Sequence, residues 1–374
     1  MTRRILFVLQ YYPPYVGGLE MIFQNLAERL VQRGYTVHVL TTHLPGTPHR
    51  ESLRGVTVER LPVPQCGDRY VFTFTAIPAA IRLARGCDLI HTAPYNGALP
   101  AFLAGRCTRR PVLLTALEVL GRRWHLMEQN PCIAWGYRLF ERLITRLPFE
   151  RFAAISQATL QDCLRAGMPA AQGQVIYPGV DEVFCPGPRN GALRARLGLG
   201  QSDFVYLYFG RPGKTKGVEF LLRAAPQIQA AIPQAHLVLL LADKPRAWYA
   251  RLLRLAADLP AGINIHLLPS VPRAALVDYL READCIVIPS LTEGFGLTTA
   301  EACATAIPVV ATRVGAIPEV ISGRHVLVEA GSAAALAKGV LRVYRGEWDE
   351  TPPKRFSWEA MVDAYEQLYQ EMLG

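Results

Sequence analysis

Two glutamates bracket a glycine turn in the stretch SLTEGFGLTTAEA, residues 290–302. Glu293 and Glu301 stand eight residues apart, with Gly294, Phe295 and Gly296 following the first and Leu297 and Thr298 leading towards the second. The apolar run at 285–288 predicts a buried strand and the pattern from 297 a helix, so the turn falls at a strand's carboxyl end. Open N–H groups at such a helix start suit a phosphate. A carboxylate accepts hydrogen bonds only, which suits vicinal hydroxyls of a ribose or a hexose, and it repels phosphate. The two acids are expected to hold sugars on either side of a diphosphate.

Two further loops fit that ligand. The strand YLYFG is followed by RPGKTKG, where Arg211 and Lys216 flank a glycine-containing loop. They read either as solvated surface cations or as a diphosphate clamp, and their place at a strand end favours the clamp. An ion contact at about 4 Å is worth roughly 4 kcal/mol at an effective dielectric near 20, before desolvation. That is enough to matter for a leaving group whose negative charge grows in the transition state. Near the N-terminus, QYYPPYVGGLE places Gly17 and Gly18 between a strand and a helix. This is either a plain turn or a close approach to an anion.

The elements that must position these loops repeat a single plan. Apolar runs at 5–9, 37–41, 89–91, 112–115 and 152–155 predict buried strands, with a helix of 3.6-residue period at 18–33. A second series occupies 204–209, 236–241, 263–267, 285–288 and 309–311. Alternation of strands and helices is the parallel α/β plan. Prolines and glycines at 177–188 form the seam between the series, and a second seam at 349–355 precedes a helix at 358–373. Two doubly wound, Rossmann-like domains are expected, facing each other across a ligand cleft at their strand carboxyl ends. A length of 374 residues suits two domains.

Composition narrows the class. Hydrophobic residues make up 51% and charged residues 19%, which provides for packed cores and excludes a disordered chain. A net charge of +9, mostly from arginine, points to an anionic partner. No basic run interleaved with aromatics suggests nucleic acid. Eight cysteines, from Cys66 to Cys303, are scattered without a CxxC pair, as for reduced thiols. The N-terminal apolar run is short and ends at Gln10, so it reads as a first strand and not a signal peptide. No apolar run reaches the roughly 18–20 residues a spanning helix needs.

EGFGLTTAE followed by PVVATRVGAIPEVI resembles the Glu-x7-Glu signature of retaining glycosyltransferases of family 4, which have the two-domain GT-B fold. GGLEMIFQNLAERLVQRGYTV, VIYPGVDEVFCP and YFGRPGKTKGVEFLLRA resemble that family's other blocks, in order, across nearly the whole chain. The resemblance implies an acceptor-binding domain at 1–180, on which the helix at 357–374 packs back, and a nucleotide-sugar-binding domain at 181–356. It implies that Glu301 binds ribose hydroxyls and Glu293 the donor sugar. Arg211 and Lys216 would neutralise the diphosphate, Gly17 would close on it, and Phe295 and Gly296 would line the sugar site through their backbone. The family needs no metal and no cofactor beyond the nucleotide-diphosphate sugar itself. It implies front-face attack, with the leaving phosphate accepting the acceptor's proton.

The chain departs from this pattern after the strand PVLLT. The family commonly carries histidine two residues beyond the threonine; here Leu117 stands there, with Glu118 next. Glu118 and His91 are the candidate substitutes, although His91 also reads as a residue capping its strand. Ala242 and the pair Thr305-Ala306 replace family glycine and Cys-Gly, which implies local remodelling near the nucleotide.

Between Glu118 and Arg151 lie Arg122, Arg123, Arg138, Arg142 and Arg146, among Trp124, Trp135, Tyr137 and Phe140. This segment reads as an ordinary amphipathic helix, as a surface for anionic lipid or a lipid-diphosphate acceptor, or as a site for an anionic sugar or protein. The expected protein is a cytoplasmic glycosyltransferase, free or peripheral at the inner face of the plasma membrane, acting on a glycan or lipid-linked acceptor. A sucrose- or trehalose-type synthase with a small soluble acceptor, and a silent binding protein of the same fold, are the alternatives.

Overall fold

A computed structural model describes residues 3–64, 68–128 and 130–374. The chain divides into two units, Met1–Gly179 with Ser357–Gly374, and Val180–Phe356. The first contains β1 (Arg4–Val8), α1 (Gly18–Gln32), β2 (Thr36–Thr42), β3 (Arg50–Leu53), β4 (Val56–Leu61), α2 (Asp68–Ala84), β5 (Leu89–Thr92), α3 (Ala98–Thr108), β6 (Val112–Ala116), α4 (Trp124–Met127), α5 (Pro131–Ile144), β7 (Arg151–Ala154), α6 (Gln157–Arg165) and β8 (Gly173–Val175). The second contains α7 (Ala192–Leu197), β9 (Phe204–Gly210), α8 (Val218–Ala231), β10 (Ala235–Leu241), α9 (Arg246–Ala257), β11 (Ile265–Pro269), α10 (Arg273–Arg281), β12 (Cys285–Ile288), α11 (Leu297–Ala304), β13 (Val309–Thr312), α12 (Ile317–Val320), β14 (Gly323–Val328), α13 (Ala333–Tyr344) and β15 (Asp349–Thr351). The final helix, α14 (Trp358–Leu373), belongs to the first unit.

Each unit is a doubly wound sheet with helices on both faces, which is why its central strands, such as β1, β5, β9 and β12, are largely apolar and buried. The first sheet runs β3-β4-β2-β1-β5-β6-β7-β8, parallel except for the β3–β4 pair. The second runs β11-β10-β9-β12-β13-β14-β15, parallel except for β14–β15. Strand order reverses between β1 and β5 in one sheet and between β9 and β12 in the other. Ligands of open α/β sheets bind outside the carboxyl ends of the strands at such a reversal. In the second sheet, β9 and β12 lead directly into the RPGKTKG and Glu293 loops.

Helix α14 is built into the first core. Trp358, Met361, Val362, Tyr365, Leu368 and Tyr369 are buried among β1, α1 and β2 residues. Burying each such side chain is worth about 1.5–3 kcal/mol, so this helix is integral to the unit. On its outer side Arg33 pairs with Glu359, Asp363 and Glu366 at 2.6–2.9 Å. Among the described residues, no helix is long and apolar enough to cross a membrane.

Several elements differ from the sequence reading. The β3–β4 hairpin was unmarked, although VTVERL alternates and Arg54 and Gly55, at φ 50° and 85°, form the turn of paired left-handed residues that joins short hairpins. β8, β14 and β15 were also unmarked, and β15 begins inside the expected seam at 349–355 because it pairs as an antiparallel edge. β11 starts at Ile265 and not 263. The seven described cysteines are free thiols; Cys66 lies outside the described residues, as do Met1 and Thr2 of the expected first-strand segment.

Candidate active site

The loop after β12 is strapped into place before any ligand is considered. Leu291 N–H donates to Thr215 O at 2.7 Å, tying it to the loop after β9. Thr312 Oγ1 donates to Ser290 O at 2.5 Å, and Ala316 N–H to Glu293 O at 3.0 Å. Two glycines permit this closeness: a Cβ on Gly217 would lie 1.9 Å from Pro289 O, and one on Gly315 2.0 Å from Glu293 O.

Inside this frame Glu293 and Lys216 meet. Lys216 Nζ donates to Glu293 Oε1 at 2.5 Å, and Ser290 Oγ donates to the same oxygen at 2.9 Å. The expectation assigned the lysine to a diphosphate and the glutamate to a sugar; the structure joins them as an ion pair. Arg211 is different. Its side chain is exposed and has no carboxylate partner among the described residues. Its carbonyl accepts from Tyr208 Oη–H at 3.0 Å. Burial, with the nearby Glu293 charge, pushes the Tyr208 phenol well up, so it remains a neutral donor fastening the loop.

The turn then runs into α11. Phe295 is 2% exposed, its ring edge-on to Phe356 with centroids 5.0 Å apart, so only its backbone is left for a ligand. Gly296 caps α11 in the left-handed region without a side-chain bond. The N–H groups of Leu297 and Thr298 belong to the first turn, which has no intrahelical acceptor. Fixed donors, a helix dipole and the Arg211 guanidinium therefore gather at one strand reversal.

Glu301, one turn into α11, occupies a separate environment. It is 3% exposed, and its Oε1 accepts from Arg273 Nη2 at 2.7 Å. Arg273 Nε also donates to Asp181 Oδ2 at 2.7 Å, with the guanidinium over the Phe184 ring. Burial pushes the Glu301 carboxyl up to about 6 against the opposing pull of Arg273. Sequence reasoning missed Arg273 and Asp181. Asp181 lies in the quoted VIYPGVDEVFCP block, and Arg273 opens a helix directly after a proline; those were the available signals.

Ala242 and Ala306 also have defined places. Ala242 N–H donates to Gly210 O at 3.1 Å at the ends of β10 and β9. Ala306 sits at φ 60°, in the left-handed region that favours the glycine of the family pattern.

In the first unit, Gly17 caps α1 in an extended conformation and Gly18 begins the helix. Leu117 packs half-buried against the core beneath α14. Glu118 follows β6 and is partly buried, its carbonyl accepting from Tyr95 Oη–H at 2.9 Å. His91 corrects the sequence reading. It is fully buried, with Nδ1 2.7 Å from Tyr369 Oη and Nε2 2.7 Å from Thr115 Oγ1. Rings of Phe7, Phe23 and Tyr365 surround it. Burial pushes the imidazole down to about 3. It is a neutral core residue with both nitrogens occupied and cannot reach a substrate. The acid that organises this edge is Glu141, whose carboxylate accepts from Leu120 and Gly121 N–H, Tyr95 Oη–H and Trp124 Nε1–H at 2.6–3.1 Å. Among the described residues, no three His, Cys, Asp or Glu side chains are grouped to hold a metal ion.

Comparison with known proteins adds to this geometry. The model described as Glycosyltransferase Family 4 matches residues 16–184, and that described as Glycosyl transferases group 1 matches 203–346. A D-inositol 3-phosphate glycosyltransferase of Corynebacterium jeikeium is 33% identical over 390 residues, covering 95% of this chain and 92% of that protein. A sucrose-phosphate synthase from Thermosynechococcus elongatus superposes with TM-score 0.85 at 24% identity, covering 100% of this chain and 99% of that one. Anabaena HepE in complex with UDP-glucose superposes with TM-score 0.73 at 20% identity, covering 98% and 99%. The fold is α/β, of the GT-B class.

Proposed function

We propose that this chain, which belongs to glycosyltransferase family 4, moves a sugar from a nucleotide-diphosphate sugar to a glycan or lipid-linked acceptor, with retention of configuration and without a metal ion. The observation that carries the reading is the convergence of Arg211, the Lys216–Glu293 pair and the α11 N-terminus at the β9/β12 reversal. HepE, of the same fold, is known in complex with UDP-glucose, which supports a donor of this chemical class.

In this mechanism Arg211 and the first N–H groups of α11 hold the diphosphate, and Lys216 turns one donor from Glu293 towards it. Glu293, kept in place by Ser290, accepts from a hydroxyl of the donor sugar. Glu301, oriented by Arg273, accepts from the ribose hydroxyls. The sugar's anomeric carbon–oxygen bond to the diphosphate breaks, and the acceptor oxygen bonds to that carbon from the same face. The acceptor's proton passes to the departing phosphate oxygen. Charge growing on that phosphate meets donors already in place, the arrangement that lowers a barrier most effectively.

A second reading, a small soluble acceptor, is favoured by the relative acting on an inositol phosphate. Both readings require turnover, which a silent binding protein lacks. Slow release of nucleoside diphosphate from the matching nucleotide sugar, without acceptor and in EDTA, is the expected result. No release with any nucleotide sugar whose diphosphate raises the melting temperature would overturn the proposal, and a strict divalent-metal requirement would overturn its metal-independent part.

A further inference from the structure

We propose that the outer face of α5 docks on an anionic membrane. The inference rests on surface chemistry in the first unit alone, independent of the transfer reading. Among the described residues, eleven large apolar side chains are markedly exposed, and seven of them lie on α2, α4 and α5: Tyr70, Phe74, Met127, Ile133, Trp135, Leu139 and Leu143. Scattered single exposures are ordinary; a concentration on neighbouring helices marks an interaction surface. The Tyr70 ring stacks on that of Tyr137, which joins α2 to α5.

The periodicity of α5 separates its faces. Trp135, Leu139 and Leu143, spaced four apart, form one stripe and are 64%, 44% and 58% exposed. Arg138 and Arg142 flank the stripe a turn apart, and Arg146 follows just beyond the helix; all three are exposed and have no carboxylate partner among the described residues. The only acid between residues 131 and 146 is Glu141, which is buried on the opposite face with four donors. Ala134 and Ile144 are buried with it. Asn130 caps the helix by accepting from Cys132 and Ile133 N–H. The helix is therefore fixed in orientation by its polar inner face, and the apolar stripe cannot roll inward without breaking those bonds.

An apolar stripe with tryptophan, bordered by unpaired arginines, matches the boundary of an anionic bilayer. The stripe enters the headgroup–acyl boundary while the guanidinium groups reach lipid phosphates. A second copy of the chain would bring the same positive charges together, which disfavours self-association through this face.

The test is co-sedimentation with vesicles of phosphatidylcholine alone or mixed with phosphatidylglycerol. The full chain should bind the mixed vesicles and release them at high salt. Arg138→Gln/Arg142→Gln/Arg146→Gln should weaken partition about 100-fold, at roughly one charge's worth each. Trp135→Ala/Leu139→Ala/Leu143→Ala should weaken it at least about tenfold, with circular dichroism and melting temperature near wild type because these side chains are already exposed. Should that variant fail to fold, Trp135→Phe preserves bulk: brominated lipid should quench wild-type fluorescence and lose most of that quenching in Trp135→Phe. Absence of binding to mixed vesicles, unchanged binding by the variants, or a dimer abolished by the stripe variant would each overturn the proposal.

Discussion

The two sheets differ most where their strands give way to loops. In the second unit this edge carries ionised groups held by short bonds: Lys216 with Glu293, and Arg273 with Glu301 and Asp181, beside an unpaired Arg211. In the first unit the nearby polar groups are turned inward. His91 is enclosed with Tyr369 and Thr115, and Glu141 is occupied by four donors. One topology thus serves two purposes. In the proposed function the second edge keeps charge available for a diphosphate, whereas the first uses its polar groups to fix α5 and α14.

Substitutions should break the two edges in different currencies of measurement. Glu293→Ala should have the largest effect, a loss of turnover of about 10²–10³-fold, the scale for a group positioned at the reacting centre. Nucleoside diphosphate affinity should hold or rise, since Lys216 loses its competing partner. A parallel loss of affinity and turnover would place Glu293 on the nucleotide instead.

In the first unit, His91→Ala should cost about 3 kcal/mol of stability through a cavity and the hydrogen bonds lost by Tyr369 and Thr115, of which Thr115 keeps Tyr365 as a partner, with turnover of the folded fraction unchanged. Denaturant titration beside a kcat measurement separates the two. Neutral His91 also sets a direction with pH. Its folded value lies below the ordinary imidazole value, so the unfolded chain binds the proton first; its contribution to stability is full above about 6.5 and fades as pH falls towards about 3.

Much of the fold was legible because buried parallel strands are largely apolar runs, and β1, β9, β10 and β12 are of that kind. β3 and β15 were not, since both are short, polar edge strands defined by a neighbour and not by their own pattern. Within the site, Glu293, Lys216 and Arg211 were legible from their place after strands. Their partnerships were not. Lys216 and Glu293 are 77 residues apart, and Arg273 and Asp181 are 92 apart, so only folding reveals these contacts. His91 misled for a related reason: a histidine at a strand end looks the same in sequence whether it faces solvent or, as here, a hydroxyl of α14.

A smaller effect should sharpen the contrast between the paired acids. With its carboxyl pushed up to about 6, Glu301 loses its acceptor charge on the acid side, so nucleoside diphosphate affinity should fall roughly tenfold between pH 7.5 and pH 5. Glu301→Gln should flatten that profile, and an unchanged profile would remove Glu301 from the ribose.

The central claim is that the β9/β12 edge of the second unit binds a diphosphate, and calorimetric titration of Lys216→Ala tests it most directly. Removing the ammonium deletes a cation and leaves Glu293 uncompensated beside the phosphate. Nucleoside diphosphate binding should therefore weaken about 100-fold, while binding of the corresponding nucleoside changes less than about twofold. Equal losses for both ligands, or no loss for either, would contradict the account.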